Sequence, residues 1–363
     1  MSLPTQDNFA DIFLSGAPLL DTRAPVEFAR GSFPGAVNRP LMTDDEREAV
    51  GTCYKQRGQE AAIELGHRLV SGSVKAGRIA AWADFARQHP EGYLFCFRGG
   101  LRSQIVQSWL AEEAGLVYPR VAGGYKAMRQ FLMQTTDRLA TTLPLYVVGG
   151  MTGTGKTELL QHLTGALDLE GCANHRGSSF GRRVSAQPAQ IDFEHRIAIR
   201  LLALEATGRP GIVVEDEGHF IGRCSLPGVL FEHMQRAPLL WLEDSFENRT
   251  QRILQDYVID QRAAHDAAFG DDGAEKFSAH LRDSLFRIRK RLGGERYERA
   301  RLLMQEALQV QEDTGNVQGH AAWISLLLRE YYDPMYVHQK AQKQHRIVVC
   351  GDAGALTRFV IKS

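Results

Sequence analysis

Short apolar runs alternate with amphipathic stretches along the first third of the chain. Leu19-Leu20, closing on Asp21, reads as the end of a strand, and residues 92–95 read as another. Residues 103–115 (SQIVQSWLAEEAG) set Ile105, Trp109 and Leu110 on one face at helical spacing. Residues 117–121 read as a further short strand and 125–139 as a helix. Strands that alternate with helices predict an α/β fold, with a parallel sheet covered on both faces. A second unit of the same kind opens at Leu145-Tyr146-Val147-Val148 and continues as a helix over 156–167. Ile212-Val213-Val214 is another apolar run, ending in Glu215-Asp216-Glu217, and Leu239-Leu240-Trp241-Leu242 is followed by acids. Residues 246–332 are mostly helical in pattern and 346–350 form a late strand. There is no internal repeat and no low-complexity linker. The boundary is expected within 135–144, giving a first domain at 9–135 and a second at 143–363 with a helical C-terminal extension.

Composition agrees with two cores. The chain has 363 residues, 44% hydrophobic and 24% charged, which is the balance of a soluble globular protein. No apolar run is long enough to span a bilayer, and the N-terminal MSLPTQDNFADIF has no basic region before an apolar stretch. Cys53, Cys96, Cys172, Cys224 and Cys350 are scattered and form no C-x-x-C pair, which speaks against a zinc site or a disulfide framework and for a reduced, cytoplasmic setting. Cys53 and Cys224 read as core residues. Lysine and arginine balance aspartate and glutamate at 43 each, so the net charge announces no polyanionic partner. Locally, residues 282–301 carry Arg282, Arg287, Arg289, Lys290, Arg291, Arg296, Arg299 and Arg301 against three acids. A solvated helical face is the simple reading of that run; a phosphate-backbone contact is the sharper one.

Gly150-Met151-Thr152-Gly153-Thr154-Gly155-Lys156-Thr157 fits G-x-x-x-x-G-K-[ST], with a strand before it and a helix after it. Gly150, Gly153 and Gly155 let backbone N–H groups close around phosphate oxygens, Lys156 neutralises charge, and the Thr157 hydroxyl can ligate Mg²⁺. The acids Glu215, Asp216 and Glu217 are the natural partners for that metal or for a water, Asp216 first; a solvated strand end is their plain alternative. No [NT]-K-x-D motif selects GTP. ATP and other phosphate-bearing small molecules both fit, since the cradle reads phosphate oxygens rather than the group attached to them.

Residues 96–103, CFRGGLRS, place a thiol among glycines and cations. A buried strand cysteine would not be followed by Gly99-Gly100, and Arg98 and Arg102 would be costly in a core. A loop whose amides converge on Cys96, ahead of a helix N-terminus near Ser103, predicts an anion nest and a lowered thiol pKa. Cysteine phosphatases and the sulfur-carrying rhodaneses both use such a loop.

The stretch LLDTRAPVEFARGSFPGAVNRPL (19–41) resembles the entry of a rhodanese domain. That resemblance implies that Asp21, Arg23 and Glu27 brace the active loop. Five residues separate Cys96 from Arg102, one more than small sulfurtransferase rhodaneses usually carry. The longer loop is similar to that of rhodanese-related dual-specificity phosphatases and would admit a whole phosphate group. With GGYKAMRQF (123–131), DLEGCANHRGSSFG (168–181), VEDEGHFIGRCSLP (214–227) and DYVIDQR (256–262), the chain as a whole resembles the bacterial tRNA 2-selenouridine synthases: a rhodanese-like domain followed by a P-loop NTPase-like domain.

The resemblance implies replacement of sulfur by selenium at C2 of 2-thiouridine, at the wobble position of tRNA, with selenophosphate as the selenium donor. It also implies geranylation of the same sulfur from geranyl diphosphate. Cys96 would take the selenium, Lys156 and Mg²⁺ would neutralise a departing diphosphate, and Arg287, Arg289, Lys290 and Arg291 would contact tRNA. Two rival readings use the same loops: a bifunctional cysteine phosphatase and P-loop kinase on small substrates, and a nucleotide-switched binding protein.

Overall fold

The computed structural model describes residues 3–208 and 211–362. The chain divides into two compact units, Met1–Leu139 with Ala189–Ala206, and Ala140–Pro188 with Thr207–Ser363. The segment Ala189–Ala206 lies within the range that the sequence pattern placed in the second domain, yet it packs with the first unit.

The first unit holds a five-stranded sheet of short strands: β1 (Thr5–Gln6), β2 (Leu19–Asp21), β3 (Val37–Asn38), β4 (Tyr93–Phe95) and β5 (Arg120–Val121). Their order is β1-β5-β4-β2-β3, and every pair is parallel. Successive side chains of a strand point to opposite faces, so each strand supplies two cores. Leu20 and Leu94 join Trp82, Val106 and Leu110 on one side. Leu19 and Phe95 join Phe33, Met128 and Leu132 on the other. The strand expected over 117–121 is reduced to Arg120–Val121, and Val117 is exposed. Between β3 and β4 run two helices that the sequence pattern left unplaced, Asp44–Leu69 and Gly72–Gln88. Thr43 starts the first with a capping box: its hydroxyl accepts from Glu46 N, and the Glu46 carboxylate accepts from Thr43 N.

The helix Gln190–Ala206 completes the second of these cores through Ala198 and Leu202. Two of its polar residues grip one turn of the first unit. Asp192 accepts from Ser32 N at 2.7 Å, and His195 Nδ1 donates to the Ser32 carbonyl at 2.7 Å. His195 Nε2 then accepts from Arg129, 3.3 Å away, which fixes the neutral tautomer.

The second unit has β6 (Leu145–Gly150), β7 (Ala166–Leu167), β8 (Ile212–Glu215), β11 (Leu239–Leu242) and β12 (Ile347–Gly351) in the order β12-β11-β6-β8-β7, all parallel. A separate antiparallel hairpin joins β9 (Phe220–Ile221) to β10 (Cys224–Ser225). The inner strands are continuous apolar runs because both of their faces are covered. The helix after the phosphate loop ends at His162 rather than continuing to 167. Leu163 turns extended, and Ala166-Leu167 join the sheet as β7, since burial in the sheet outweighs helix propensity next to Gly165. A helical region packs around Phe277, Leu281, Trp323 and Leu327. Among the described residues no helix is long and apolar enough to cross a membrane.

His195 carries a pH signature. Burial first, then the Arg129 and Arg23 charges, depress its pKa from 6.5 to about 4, against the opposing bond to Ser32. The unfolded chain takes up this proton more readily, so the stabilisation is complete above about 6.5 and is lost as pH falls through the folded value. The whole window is worth about 3 kcal/mol. His195→Gln keeps an N–H donor for Ser32 but cannot titrate. Urea unfolding followed from pH 7 to pH 4 should show a shallower fall for this variant than for the parent, and parallel curves would remove His195 as the cause.

Candidate active site

Cys96 leaves the end of β4, the central strand of the first sheet, and its loop runs into the helix Leu101–Ala114. The loop is tied from behind by its carbonyl oxygens. Tyr125 N donates to Cys96 O at 2.9 Å, Lys126 N to Phe97 O at 2.9 Å, and Arg120 to Gly99 O at 2.6 Å. Gly99 sits at φ +61, and a side chain there would strike the backbone of Val121, Gly123 and Gly124. A side chain on Gly124 would collide in turn with the Cys96 carbonyl and Gly99 N. Gly99 and Gly124 therefore lie backbone to backbone, an approach that no Cβ permits.

The sulfur itself is 3% exposed as part of Cys96. It lies 3.2 Å from Ser103 Oγ and 4.0 Å from the Gly100 carbonyl. The expected convergence of amides on the sulfur is thus not what forms. Among the described residues, the N–H groups of residues 97–103 have no protein acceptor, because the backbone bonds of this loop are made through its carbonyls. Those amides remain without a protein partner and could meet an anion.

Arg102 is bonded to Glu27 and not to Cys96, at 2.6 and 3.2 Å, and Arg47 reaches the same carboxylate at 3.2 Å. Burial alone would raise the Glu27 pKa, but the Arg102 bonds and charge outweigh it and hold the carboxyl below its usual range. Arg98 is exposed. Asp21 and Arg23 form a fully buried pair, 2.6 Å apart, that also binds Ser32 Oγ and the Gly31 carbonyl. Their link to the loop is indirect: the Arg23 guanidinium lies 3.8 Å from the centre of the Tyr125 ring, and Tyr125 N holds the Cys96 carbonyl. Thr22 is closer, with its N–H and hydroxyl both on the Phe95 carbonyl.

In the second unit the phosphate loop joins β6 to the helix Lys156–His162. Lys156 Nζ caps the Gly150 and Met151 carbonyls at 3.1 and 3.4 Å. Two arginines that the motif does not reveal hold the next carbonyls: Arg249 donates to Thr152 O at 2.9 Å and Arg252 to Gly153 O at 2.6 Å. Both come from the helix Phe246–Leu254, spaced three apart so that they share a face. Arg249, itself buried, is paired with Asp333, and Arg252 with Asp244 and Glu158.

The acids at the end of β8 separate into three environments. Glu215 is buried, with Oε2 accepting from Leu169 N at 2.8 Å and Oε1 without a partner. Burial, then the neighbouring Glu170 and Asp168, raise its pKa well above the usual carboxylate range. Asp216, the first candidate for the metal, is instead held by Lys343 through both oxygens, at 2.6 and 2.7 Å. Glu217 faces Glu170, and burial, then that second carboxylate, raise its pKa to about 8. Glu170 Oε2 accepts from Thr157 Oγ1 at 3.2 Å, and its other oxygen accepts from Gly177 N. The carboxylate on the Thr157 hydroxyl is therefore Glu170, with Glu217 next to it. Glu170 lies in no motif that the sequence pattern could assign; only its place in the DLEGCANHRGSSFG stretch pointed towards it. Among the described residues no group of three or more His, Cys, Asp or Glu is arranged to hold a metal.

Of the basic run, Arg287 binds the Ser179 carbonyl and Ser284 Oγ, and Arg289 lies over the Phe286 ring at 3.6 Å. Lys290 and Arg291 are exposed.

Residues 143–363 match the family model described as the tRNA 2-selenouridine synthase AAA domain. Relatives named tRNA 2-selenouridine synthase align along nearly the whole chain. The protein of Pseudomonas fluorescens (strain Pf0-1) is 57% identical over 99% of this chain and 98% of its own length. That of Azotobacter vinelandii is 59% identical over 97% and 96%, and that of Bordetella bronchiseptica 60% over 97% and 96%. The chain belongs to the tRNA 2-selenouridine synthase family. The alignments with these synthases run through both units, so the Cys96 loop and the phosphate loop both lie within the shared length.

The backbone contact behind Cys96 can be tested directly. Gly124→Ala should displace the loop and raise the rate at which iodoacetamide labels Cys96, read by peptide mass spectrometry. An unchanged rate would mean that the glycine contact does not set the position of the thiol.

Proposed function

We propose that the chain is a tRNA-modifying enzyme, active in the cytoplasm, that replaces sulfur by selenium at C2 of wobble 2-thiouridine, and that it does so after alkylating that sulfur. The observation that carries this reading is the occurrence in one chain of two loops with their carbonyls tied back, one holding a buried thiol and the other a lysine and a hydroxyl flanked by carboxyls. The first unit is read as rhodanese-like, which its parallel sheet and the cysteine loop at the end of the central strand support.

A thiocarbonyl sulfur leaves a pyrimidine poorly. Attack of that sulfur on C1 of geranyl diphosphate releases diphosphate and leaves a thioether, which is a better leaving group and makes C2 more electrophilic. The phosphate loop would bind the diphosphate, with Lys156 turning from the Gly150 and Met151 carbonyls to the departing charge. Mg²⁺ takes oxygen ligands and is held by one or two carboxylates together with ligand phosphates. Thr157, Glu170 and Glu217 offer that donor set, and a cation there would offset the carboxylate repulsion that helps raise the Glu217 pKa. The ion would supply charge neutralisation on the diphosphate. In the first unit the open amides of residues 97–103 would bind the phosphate of selenophosphate, and the Cys96 thiolate would attack its phosphorus, breaking the P–Se bond. The released selenide would add at C2 and expel the geranyl thiolate, and water would then free Cys96 as phosphate leaves. Exposed Lys290 and Arg291, with Arg289 over Phe286, would contact the tRNA backbone, whereas Arg287 mainly braces the 179–180 turn.

The two half-reactions should separate. Lys156→Ala should abolish geranylation of 2-thiouridine in tRNA, losing roughly 3–4 kcal/mol of transition-state stabilisation. Cys96→Ala should still geranylate, fail to install selenium, and accumulate the prenylated tRNA, as read by nucleoside mass spectrometry. Selenation intact in Cys96→Ala would overturn the role given to the thiol.

The assignment of the cation to Glu170 rather than Asp216 makes a second prediction. Glu170→Gln should raise the Mg²⁺ concentration needed for geranylation by about tenfold to a hundredfold. Asp216→Asn should lower thermal stability, by loosening Lys343, without moving the Mg²⁺ requirement. The reverse pattern would return the metal to Asp216.

A further inference from the structure

The helix that follows Cys96 forms the floor of a cavity of about 680 Å³ within the first unit, a size in the range of ~300–1,000 Å³ typical of small-molecule sites. Leu101, Arg102, Ile105 and Trp109 line it along one side of that helix. The opposite wall comes from the helix Asp44–Leu69, which is broken at Gly58 (φ 85, ψ −176). Val50 and Tyr54 stand before the break and Ile63 after it. The kink thus bends one helix around a space that its side chains do not fill. Two large apolar residues at this cavity remain exposed, Leu101 at 44% and Tyr54 at 58%, which marks an apolar surface awaiting a partner.

The cavity has a polarity. Its charged end is where Arg102 and Arg47 share the single carboxylate of Glu27, leaving an excess of positive charge. Arg102 and Leu101 belong to the same turn as the open amides beside Cys96. A ligand that fits has an apolar chain for the cavity, and an anionic or nucleotide portion for the Arg102 end and the cysteine loop. Geranyl diphosphate and the geranylated nucleotide both have that chemistry. The cavity is lined by the helix that follows Cys96, whose Ser103 touches the sulfur, and this favours the nucleotide. Resting on the reading above that the sulfur is alkylated before it is replaced, we propose that this cavity holds the chain carried on sulfur in S-geranyl-2-thiouridine while C2 faces Cys96. The first unit would then select alkylated over unalkylated tRNA, and alkylation would serve as an affinity handle as well as a means of activation.

The test uses the full-length protein and anticodon stem-loop RNAs prepared chemically with 2-thiouridine or S-geranyl-2-thiouridine. Wild type should bind the geranylated RNA at least tenfold more tightly. Ile63→Trp and Val50→Trp, both at half-buried positions that let the indole enter the cavity, should erase that preference while leaving affinity for the 2-thiouridine RNA unchanged. A readout without a filled cavity is the emission of Trp109: geranylated RNA should change it, and the change should be missing in Trp109→Phe. Equal binding of the two RNAs by wild type, or a preference that survives both tryptophan variants, would overturn the proposal. So would variants that lose affinity for geranyl diphosphate while still preferring geranylated RNA, since the cavity would then serve the free donor. Because the RNAs are made chemically, this outcome is independent of whether the enzyme geranylates. Failure of wild type to geranylate tRNA would sink the two-step reading and not the binding result.

Discussion

A loop can offer its backbone N–H groups to an anion only if its carbonyl oxygens are held elsewhere, because a free carbonyl would face the same charge and repel it. Both loops of this chain meet that constraint. Behind Cys96 the carbonyls are taken by Tyr125 N, Lys126 N and Arg120; in the phosphate loop they are taken by Lys156, Arg249 and Arg252. Much of the surrounding structure follows from this need. The start of the helix Gly124–Thr142 must approach within backbone contact, so glycines stand at 99 and 124. The helix Phe246–Leu254 must turn two arginines three residues apart towards the phosphate loop, and the acids Asp333, Asp244 and Glu158 must hold those arginines in place. Open amides are costly when nothing meets them, about 1–3 kcal/mol for each that is buried. They are tolerated here at loop ends where a ligand or water can approach.

The three consecutive acids at the end of β8 show how tertiary contacts divide like residues. Glu215, the last residue of the strand, is buried, and burial raises its pKa well above the usual carboxylate range. Asp216 leaves the strand and meets Lys343. Glu217 folds back, its N–H donating to the Glu215 carbonyl at 2.9 Å, and meets Glu170. One acid is thus paired with a lysine, one is desolvated, and one faces a second carboxylate, a repulsion that a cation would relieve.

The principal strands were legible in the sequence because each is an apolar run long enough to stand out: Leu19-Leu20, Tyr93 to Phe95, Leu145 to Val148, Ile212 to Val214 and Leu239 to Leu242. Both loops were legible because glycine and cation spacing is local. What was not legible depends on contacts between distant positions. Nothing local says that Gln190–Ala206 belongs to the first unit; that follows from Ala198 and Leu202 fitting its core and from His195 and Asp192 gripping Ser32. Asp216 could not be told from Glu217 without Lys343, which lies 127 residues away. Arg287, in the basic run, also donates to the Ser179 carbonyl, 108 residues earlier in the chain. Charged residues are chemically specific, but their partners are set by tertiary structure, so a sequence shows the cluster and not the pairing within it.

The burial of Cys96 bears on selectivity. Of the five cysteines, Cys53, Cys96 and Cys224 are buried, Cys172 is half-buried and Cys350 is exposed. A buried thiol reacts only with reagents that can reach it. At 3% exposure, with Ser103 Oγ against the sulfur and the loop backbone around it, Cys96 admits a small anion far more readily than a bulky thiol. Exclusion of competing reagents is then built into the same backbone arrangement that presents the amides. The five residues between Cys96 and Arg102 close this loop while the sulfur stays buried. Arg102 at its far end is fixed by Glu27, so the positive charge stays at the rim and does not collapse onto the thiol.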